Sequence, residues 1–254
     1  MQTVVVLGAG NVASHIIKAL IQNTFQVKQI YNRTLQRAEL LSKEFNIPFT
    51  DKISEIQKAD LYIIATSDDS IKEISFHIPY PEAMVVHTSG SMSIEEIKPG
   101  LRRGVIYPLQ TLTAGRNLEY EDIPIFIEAE NSQDLESLRK FAEKISLNVQ
   151  DLDSKARLKL HMSAVWVNNF TNHIYQIASD FCAENGVSFD VLKPLILETA
   201  HKIEYLTPLQ AQTGPAKRRN QDTINKHLEL ITDKELKEIY ATFSHLIQKK
   251  HAQL

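Results

Sequence analysis

A glycine turn directly after the N-terminal apolar run constrains the fold more than any other feature of this sequence. Residues 3–7 (TVVVL) are apolar and mostly β-branched, as in a strand buried on both faces, and helical spacing begins at residue 11. Between them stands Gly8-Ala9-Gly10-Asn11-Val12-Ala13, which fits G-x-G-x-x-G/A in the strand-to-helix context that this pattern requires. Bare backbone at the two glycines and a helix N-terminus favour the pyrophosphate of a dinucleotide. The residues assigned to this cofactor site are Gly8, Gly10, Asn11, Val12 and Ala13.

Strands and helices alternate through the first three-fifths of the chain and then give way to helices alone. Predicted strands cover 25–31, 61–65, 84–87, 104–109, 123–128 and 147–152, with helices at 35–45 and 132–145. Further on, the spacing is helical over 155–185, 189–206, 222–230 and 234–250. Such alternation predicts a parallel sheet with helical crossovers. We therefore expect an α/β Rossmann-type, mostly parallel sheet over residues 1–153 and an all-α domain over residues 154–254.

Composition and charge exclude several classes of protein. The chain is 43% hydrophobic and 23% charged, which fits a globular protein and excludes a disordered or fibrous one. Its net charge of −3 lacks the basic footprint of a general nucleic-acid binder. The lone Cys182 excludes a disulfide framework, and no apolar run approaches the ~18 residues that span a membrane. The histidines lack metal-ligand spacing such as H-E-x-x-H, so no metal is expected. We expect a cytoplasmic protein without nucleic-acid or membrane partners.

The residues at the end of the second predicted strand indicate which dinucleotide binds. An NAD site usually has Asp or Glu there, which accepts from the ribose 2′-hydroxyl. This chain has Asn32-Arg33-Thr34 instead. The Arg33 guanidinium can bind a 2′-phosphate, with Asn32 and Thr34 as further donors, so NADP is favoured over NAD by about ten- to a hundredfold. The alternative is that Arg33 is a solvated residue before a helix whose N-cap is Thr34.

Two further strand ends carry residues that point to the same crevice, because the carboxyl ends of parallel strands line the ligand site. Ala65, Thr66 and Ser67 are expected near the adenosine ribose and the pyrophosphate. For Asp68, the N-cap of a following helix is favoured over contact with the ligand. His87 either lies near the nicotinamide or is a buried, hydrogen-bonded histidine.

The long helix predicted after residue 154 carries polar residues at helical spacing. His161, Val165, Asn168 and Asn172 would lie on one face of a regular helix, within about 40 degrees of a common direction. Only His161 exchanges a proton near neutral pH, which makes it the candidate general acid or base. Asn168 is the candidate to orient a substrate, and Asn172 is a candidate substrate contact. The alternative is that these are hydrogen-bonded structural groups.

Motifs along nearly the whole chain resemble one bacterial family. They are VVLGAGNVA, YNRT, VVHTSG, YPLQT, LHMSAVWVNNF, PLILETA and QTGPAKRRNQDTINKHL. The family consists of NADP oxidoreductase-type proteins with a Rossmann-like domain and a C-terminal domain of unknown function (DUF2520 type). More distantly, the layout is similar to pyrroline-5-carboxylate reductase and the deazaflavin-dependent NADP reductases, with a C-terminal domain like that of 6-phosphogluconate dehydrogenase.

The resemblance implies NADP as the cofactor and a homodimer formed by the helical domain, which completes the site for a small-molecule substrate. It favours a substrate or cofactor clamp over a simple helix-linking turn at Thr213, Gly214, Pro215 and Arg218, with Arg218 pairing an anionic group. The chain departs from the family in two places. Tyr107-Pro108 stands where members often have His-Pro, and Arg219-Asn220 stands where they have Gly-Asp. If that Asp has a chemical role, Asn220 cannot supply its charge.

These features predict an NADP-dependent oxidoreductase that moves a hydride between the nicotinamide and a small carbonyl or imine compound held between the domains. The alternative comes from another class, a non-catalytic NADP(H)-binding sensor or scaffold whose helical domain is a dimerisation surface. A dinucleotide-binding fold serves both uses, so the fold by itself does not separate them.

Overall fold

A computed structural model describes residues 1–252. One compact unit comprises Met1–Ile174, and a second begins at Tyr175. The first unit contains the whole sheet, and after the last strand the described residues form helices and turns.

Eight strands form a single sheet in the first unit. They are β1 (Thr3–Leu7), β2 (Gln26–Tyr31), β3 (Phe49–Thr50), β4 (Leu61–Ile64), β5 (Met84–His87), β6 (Arg102–Pro108), β7 (Ile125–Ala129) and β8 (Val149–Asp151). Their order is β3-β2-β1-β4-β5-β6-β7-β8. All neighbours are parallel except β6 and β7, which are antiparallel. The predicted Rossmann-type, mostly parallel sheet is confirmed; the antiparallel pair was not predicted.

Helices cover both faces of this sheet, as the four buried apolar residues of β1 require. They are α1 (Asn11–Gln22), α2 (Leu35–Phe45), α3 (Ile71–Phe76) and α4 (Ser132–Ala142). Val4 and Val6 of β1 pack on the face of α1, α2 and α4, whereas Val5 and Leu7 pack on the face of α3. The order of strands reverses between β1 and β4, and ligands of such sheets bind in the crevice at this reversal.

The helix predicted over 155–185 is present with one irregular turn. It consists of α5 (Ser154–Val165), a π-helical turn at Trp166–Phe170, and α6 (Thr171–Glu184). Asp153 caps α5 by accepting from the backbone N–H of Ala156 at 2.8 Å. The change from strands to helices thus follows β8 at once, whereas the two compact units divide inside α6.

The second unit consists of helices that leave many apolar side chains exposed. After α6 come α7 (Lys193–His201), α8 (Pro208–Ala211), α9 (Gln221–Leu230) and α10 (Lys234–His251). Of its described residues, Ala216, Ile224 and Ser244 alone are buried. Helical spacing therefore predicted α7, α9 and α10 but not α8, and it did not predict how few of their side chains are buried.

Candidate functional site

Gly8 makes the turn after β1 possible for two separate reasons. Its φ of +132° is a conformation that side-chain-bearing residues rarely adopt. A Cβ at this position would also lie 2.2 Å from the carbonyl oxygen of Ala65, just beyond β4. The N–H of Gly8 donates to the carbonyl oxygen of Tyr31 at 2.7 Å. The turn is therefore held between the ends of β2 and β4, and the predicted need for glycine here is confirmed.

Gly10 leaves the N-terminus of α1 open. It is the N-cap residue, no side chain caps the first turn, and a Cβ on Gly10 would meet nothing within 4 Å. Ala13 is fully buried in the core between helix and sheet, and Val12 is partly buried against it. Asn11 donates its side-chain amide to the carbonyl oxygen of Leu112 at 3.1 Å. Free N–H groups at a helix N-terminus and open space at Gly10 fit the pyrophosphate of a dinucleotide.

A cavity of about 210 Å³ lies at the end of β2. Two exposed arginines, Arg33 and Arg37, line it, together with Thr66 and Ser67 from the turn after β4. The structure thus brings the predicted residues of two strand ends to one cavity. Sequence reasoning missed Arg37, although its position four residues after Arg33, about one helical turn, was an available signal.

Asn32 and Thr34 line the same cavity but differ in what their side chains do. The amide of Asn32 donates to the carbonyl oxygen of Thr34 at 2.9 Å and so shapes the turn between β2 and α2. Thr34 occupies the N-cap position of α2, but its side chain makes no capping hydrogen bond. Its hydroxyl is therefore not committed to the helix.

One carboxylate faces this cavity, although none stands at the end of β2. Glu73 of α3 is part of the lining. Burial and then the Glu73 charge raise the pKa of Tyr31, the last residue of β2. Within the described residues, Glu73 forms no salt bridge with either arginine. The absence of a repelling carboxylate therefore holds for the strand end and not for the whole cavity.

Asp68 is not the helix N-cap that the sequence predicted. A 3₁₀ turn, Asp68–Ser70, precedes α3, and Ser67 occupies the N-cap position of that turn. The Asp68 carboxylate instead accepts from the hydroxyl of Ser91 at 2.6 Å. The prediction is wrong because the extra 3₁₀ turn moves the start of the helix. Asp68 connects the turn after β4 to the loop after β5.

His87 is a buried, hydrogen-bonded histidine, the second of the two alternatives left open. Its side chain is fully buried, Nδ1 accepts from the N–H of Ser89 at 3.2 Å, and Nε2 lies 3.2 Å from the carbonyl oxygen of Ser93. Burial, and then the positive charge of Arg157, lower the pKa of His87 to about 4. The prediction that His87 binds the cofactor is corrected, because both ring nitrogens are already used to fold its own loop.

Arg157 connects the first turn of α5 to that same loop. Its side chain is 1% exposed. Nε donates to the carbonyl oxygen of Ser89 at 3.2 Å, Nη2 donates to that of Met92, and Nη1 pairs with the carboxylate of Glu128 on β7. A guanidinium with three engaged nitrogens fixes the helix relative to the loop. Sequence reasoning missed this residue, because nothing in the local pattern distinguishes it from a solvated arginine.

His161 lies one turn beyond Arg157 and contacts the carboxyl end of the sheet. Its Nδ1 is 3.0 Å from the hydroxyl oxygen of Tyr107, at the end of β6. A Cβ on Gly90, in the loop after β5, would lie 2.6 Å from this Nδ1 and 2.8 Å from Cζ of Tyr107. The structure thus places the predicted His161 beside the crevice. Tyr107 was noted only as a departure from the family, and its contact depends on folding across 54 residues.

The π-helical turn changes the predicted polar face of the long helix. A regular helix advances about 100° per residue, so the residue that a π-turn inserts rotates all following positions by about that angle. Asn172 therefore does not share the direction of His161 that regular spacing gives it, and Asn168 lies within the π-turn itself. Both amides are exposed. The prediction of one continuous face is corrected, while their roles toward a substrate stay predictions.

The structure gives local roles to Arg219 and Asn220, the two residues in the loop before α9 that depart from the family pattern. Arg219 has a φ of +55°, the left-handed conformation that glycine adopts most easily. Asn220 is the N-cap of α9 and accepts from the N–H of Thr223 at 3.1 Å. Asn and Asp cap a helix equally well, so this local role needs no charge. Thr213 and Arg218 are exposed, and Gly214 and Pro215 are partly so.

Other kinds of site find no support in the part of the chain that the structure describes. Over residues 1–252, no group of three or more His, Cys, Asp or Glu side chains is placed to hold a metal ion. Over the same residues, no helix has the length and apolar character needed to cross a membrane.

Comparison with known proteins gives the family. Residues 123–247 match the Domain of unknown function (DUF2520), and residues 1–73 match Shikimate / quinate 5-dehydrogenase. The chain is 35% identical to a candidate NADP oxidoreductase from Bacteroides fragilis, whose crystal structure matches with a TM-score of 0.92 over 98% of both chains. The chain therefore belongs to the family of this B. fragilis protein, the NADP oxidoreductase-type family with a DUF2520 domain. The resemblance drawn from its motifs is thereby confirmed.

A more distant solved structure agrees in fold, and one curated protein matches part of the chain in sequence. An imine reductase from Myxococcus stipitatus, in complex with NADP⁺, is 14% identical, with a TM-score of 0.67 over 99% of this chain and 93% of that one. A glutamyl-tRNA reductase from Methanococcus maripaludis is 29% identical over 155 residues, which are 58% of this chain and 40% of that protein. The chain thus spans less than half the length of this curated relative.

Proposed function

We propose that this protein is an NADP-dependent oxidoreductase that transfers a hydride between NADP(H) and a small carbonyl or imine compound. The observation that carries the proposal is the pairing of the open N-terminus of α1 at Gly10 with the arginine-lined cavity at the end of β2. These are the places where a dinucleotide of the Rossmann type puts its pyrophosphate and its adenosine ribose. The descriptions of the B. fragilis protein and of the imine reductase support the same cofactor.

Residues of the glycine turn and the β2 cavity would hold the cofactor. The backbone from Gly8 to Ala13 binds the pyrophosphate, and Arg33 and Arg37 pair with the 2′-phosphate. Thr66 and Ser67 offer hydroxyl groups to the ribose from the other strand end. Because NADP carries one phosphate more than NAD at this end, two arginines favour NADP.

Bound NADPH supplies a hydride, and the chain positions the acceptor and manages the proton that balances it. His161 is the residue through which we route that proton, because it combines a titratable ring with a place at the carboxyl edge of the sheet. Asn168 is proposed to orient the substrate. The remaining proposed substrate contacts are Asn172, Thr213, Gly214, Pro215 and Arg218, with Arg218 pairing an anionic group.

A homodimer formed through the helices is part of the proposal. Along α5, the π-turn and α6, large apolar side chains stay exposed: Met162 is 60%, Trp166 55% and Val167 75% exposed. Exposed apolar patches of this kind mark interaction surfaces. A second copy of the chain is the occupant that the family resemblance implies.

A cytosolic location is also part of the proposal. Cys182, the single cysteine of the chain, is partly buried and free, which fits a reducing compartment.

Ligand-dependent stability tests the cofactor. At about 100 times its dissociation constant, NADPH should raise the free energy of unfolding by about 2.7 kcal/mol, and NADH should need about ten- to a hundredfold more ligand for the same gain. The Arg33→Asp variant should lose most of the NADPH response. Lys43→Asp makes the same change of charge on α2 away from the cavity, so it should keep the wild-type gain in stability on adding NADPH.

Oxidation of NADPH by compounds in a carbonyl and imine panel tests the reaction. Turnover of any member supports the proposal, and His161→Ala should abolish it while cofactor affinity stays nearly unchanged. Binding of NADPH without turnover of any panel member would instead support the sensor alternative. Equal stabilisation by equal concentrations of NADPH and NADH would contradict the role of Arg33.

A further inference from the structure

Tyr107 forms with His161 a pair whose geometry goes beyond the role proposed for the histidine alone. We infer that Tyr107 is a positioning residue, which fixes neutral His161 in the tautomer with its hydrogen on Nε2, so that this ring offers a hydrogen-bond donor to the substrate. The inference deepens the proposed function and rests on it. It also gives the reaction a direction, reduction of a C=O or C=N bond.

The direction of the hydrogen bond follows from the surroundings of Tyr107. Within the described residues, its hydroxyl has one hydrogen-bond partner, Nδ1 of His161 at 3.0 Å. If His161 donated from Nδ1, the hydroxyl hydrogen of the buried Tyr107 would have no acceptor, which is costly. Burial raises the pKa of Tyr107 and keeps its hydroxyl protonated. Tyr107 therefore donates, Nδ1 accepts, and the hydrogen of the neutral imidazole is on Nε2.

Two neighbours hold the pair in place. Gly90 lies so close that a methyl group there would come within 2.6 Å of Nδ1 of His161 and 2.8 Å of Cζ of Tyr107. The φ of Gly90 is not in the left-handed region, so glycine is needed here for space and not for backbone freedom. Arg157 binds the carbonyl oxygens on either side of Gly90, at Ser89 and Met92, from the preceding turn of α5. Loop, strand and helix thus meet at the Tyr107–His161 contact.

A second tyrosine–histidine pair in the same unit shows what distinguishes this one. Nδ1 of His15 lies 2.9 Å from the hydroxyl of Tyr120, much like His161 and Tyr107. Nε2 of His15, however, lies 2.8 Å from the carbonyl oxygen of Thr113 and is committed within the fold. Over residues 1–252, Nε2 of His161 has no such partner. The His15–Tyr120 pair is therefore closed, whereas the His161–Tyr107 pair leaves its Nε2 donor for a ligand.

A donor at Nε2 fits reduction. When hydride adds to the carbon of C=O or C=N, the electron pair of the π bond moves to the heteroatom, and a hydrogen-bond donor there stabilises the developing charge. The proton that finally bonds to the heteroatom is passed on from Nε2 of His161, which solvent then reprotonates. Removing a proton from an alcohol or amine would need the opposite tautomer, with Nε2 bare. Tyr107 itself is not the proton source, because its hydroxyl is buried and holds Nδ1.

Nuclear magnetic resonance of the ¹⁵N-labelled, full-length protein tests the tautomer without any substrate. Long-range ¹H–¹⁵N spectra at neutral pH should show His161 with a pyridine-like Nδ1 and a pyrrole-like Nε2, its signals assigned by their loss in His161→Gln. Tyr107→Phe removes only the hydroxyl and should shift both nitrogens toward a mixture of tautomers. Tyr120→Phe, the matched change in the closed pair, should leave the His161 signals unchanged. A protonated Nδ1 in the wild type, or no shift in Tyr107→Phe, would overturn the inference.

Kinetics with any active member of the carbonyl and imine panel complete the test. Tyr107→Phe should lower kcat for reduction about tenfold and leave the Kd of NADPH unchanged, whereas Tyr120→Phe should keep the wild-type rate. Gly90→Ala keeps the hydroxyl but should disturb the tautomer by crowding. A fixed tautomer in a protein without turnover would overturn the proposed function alone. Turnover that Tyr107→Phe does not affect would overturn the inference alone.

Discussion

The sheet and the helices that follow it differ in how completely they bury their apolar side chains. In the sheet, Val6 is 0% and Ile63 1% exposed, whereas Val167 in the long helix is 75% and Leu195 in α7 62% exposed. Both regions have apolar residues at the spacing that their secondary structure demands. The sheet is covered by its own helices, while the later helices lack an opposite layer within the described chain. Periodicity therefore predicts an element, but the element's partner can be another molecule.

Polar groups show the same difference. In the α/β region, both ring nitrogens of the buried His87 are engaged within the fold. The exposed amides of Asn168 and Asn172 have no comparable enclosure. The polar groups of the sheet region are satisfied by intramolecular contacts, whereas the helical region leaves side chains exposed, as the proposed substrate and dimer contacts require. The following predictions test this difference, from the largest expected effect to the smallest.

Of the glycines in this chain, Gly8 leaves the least space for a Cβ. Gly8→Ala should destabilise the protein by about 4 kcal/mol, because the Cβ would clash with the backbone at Ala65 and the φ of +132° is unfavourable for alanine. Denaturant unfolding measures this loss. Gly10→Ala is the control, since its Cβ meets open space: it should change stability by less than about 1 kcal/mol but weaken NADPH binding. Equal stabilities of the two variants would contradict the different roles of the glycines.

Burial of His87 makes the sheet region sensitive to acid. The folded pKa of about 4 lies below the ordinary value of 6.5, so the unfolded chain binds this proton first as the pH falls. Stability from this group is fully present above pH 6.5 and declines by about 3 kcal/mol by pH 4. Unfolding free energies measured across this range check the slope. His87→Phe should be less stable at pH 7.5 and should show a shallower decline, and an unchanged slope would refute the assignment.

A charge introduced on the apolar surface of the long helix should weaken the proposed homodimer, whereas a charge introduced on the surface of the sheet region should not. Val167→Glu places a carboxylate on the apolar surface of the long helix and should weaken a homodimer at least tenfold, since the charge would be buried without a partner. Analytical ultracentrifugation across concentrations measures this. Leu147→Glu is the matched control, because Leu147 is 82% exposed before β8. Identical masses for both variants and the wild type at every concentration would exclude the long helix as the interface.

The smallest effect concerns the loop before α9. Arg219→Gly should stabilise the protein by about 1 kcal/mol, because glycine adopts the φ of +55° without strain. Arg218→Gly, one residue earlier and outside the left-handed region, should lower stability slightly. Thermal unfolding of the two variants side by side measures the difference. Destabilisation by both changes would show that the Arg219 side chain contributes more than its backbone strain costs.

Local sequence patterns correctly predicted those parts of the structure that depend on residues close together in the chain. The run TVVVL followed by Gly8 and Gly10 predicted the strand, the turn and the helix correctly, because backbone freedom and side-chain spacing act within a few residues. The polar end of β2 was located in the same way. The cap at Asp68 was predicted wrongly, since a 3₁₀ turn and an α-turn differ too little in sequence preference. The π-turn in the long helix escaped prediction for a similar reason.

What the sequence determined by itself was the alternation of elements, the sheet type and the glycine turn for a dinucleotide. Only the tertiary structure decided which polar groups form hydrogen bonds within the fold and which remain available to a ligand. His87 and His161 look alike in the sequence, yet loop contacts engage both nitrogens of the first, while Tyr107 engages one nitrogen of the second. The physical reason is that hydrogen bonding and burial depend on residues brought together from distant positions, here β5, β6 and α5, whose meeting no local pattern encodes.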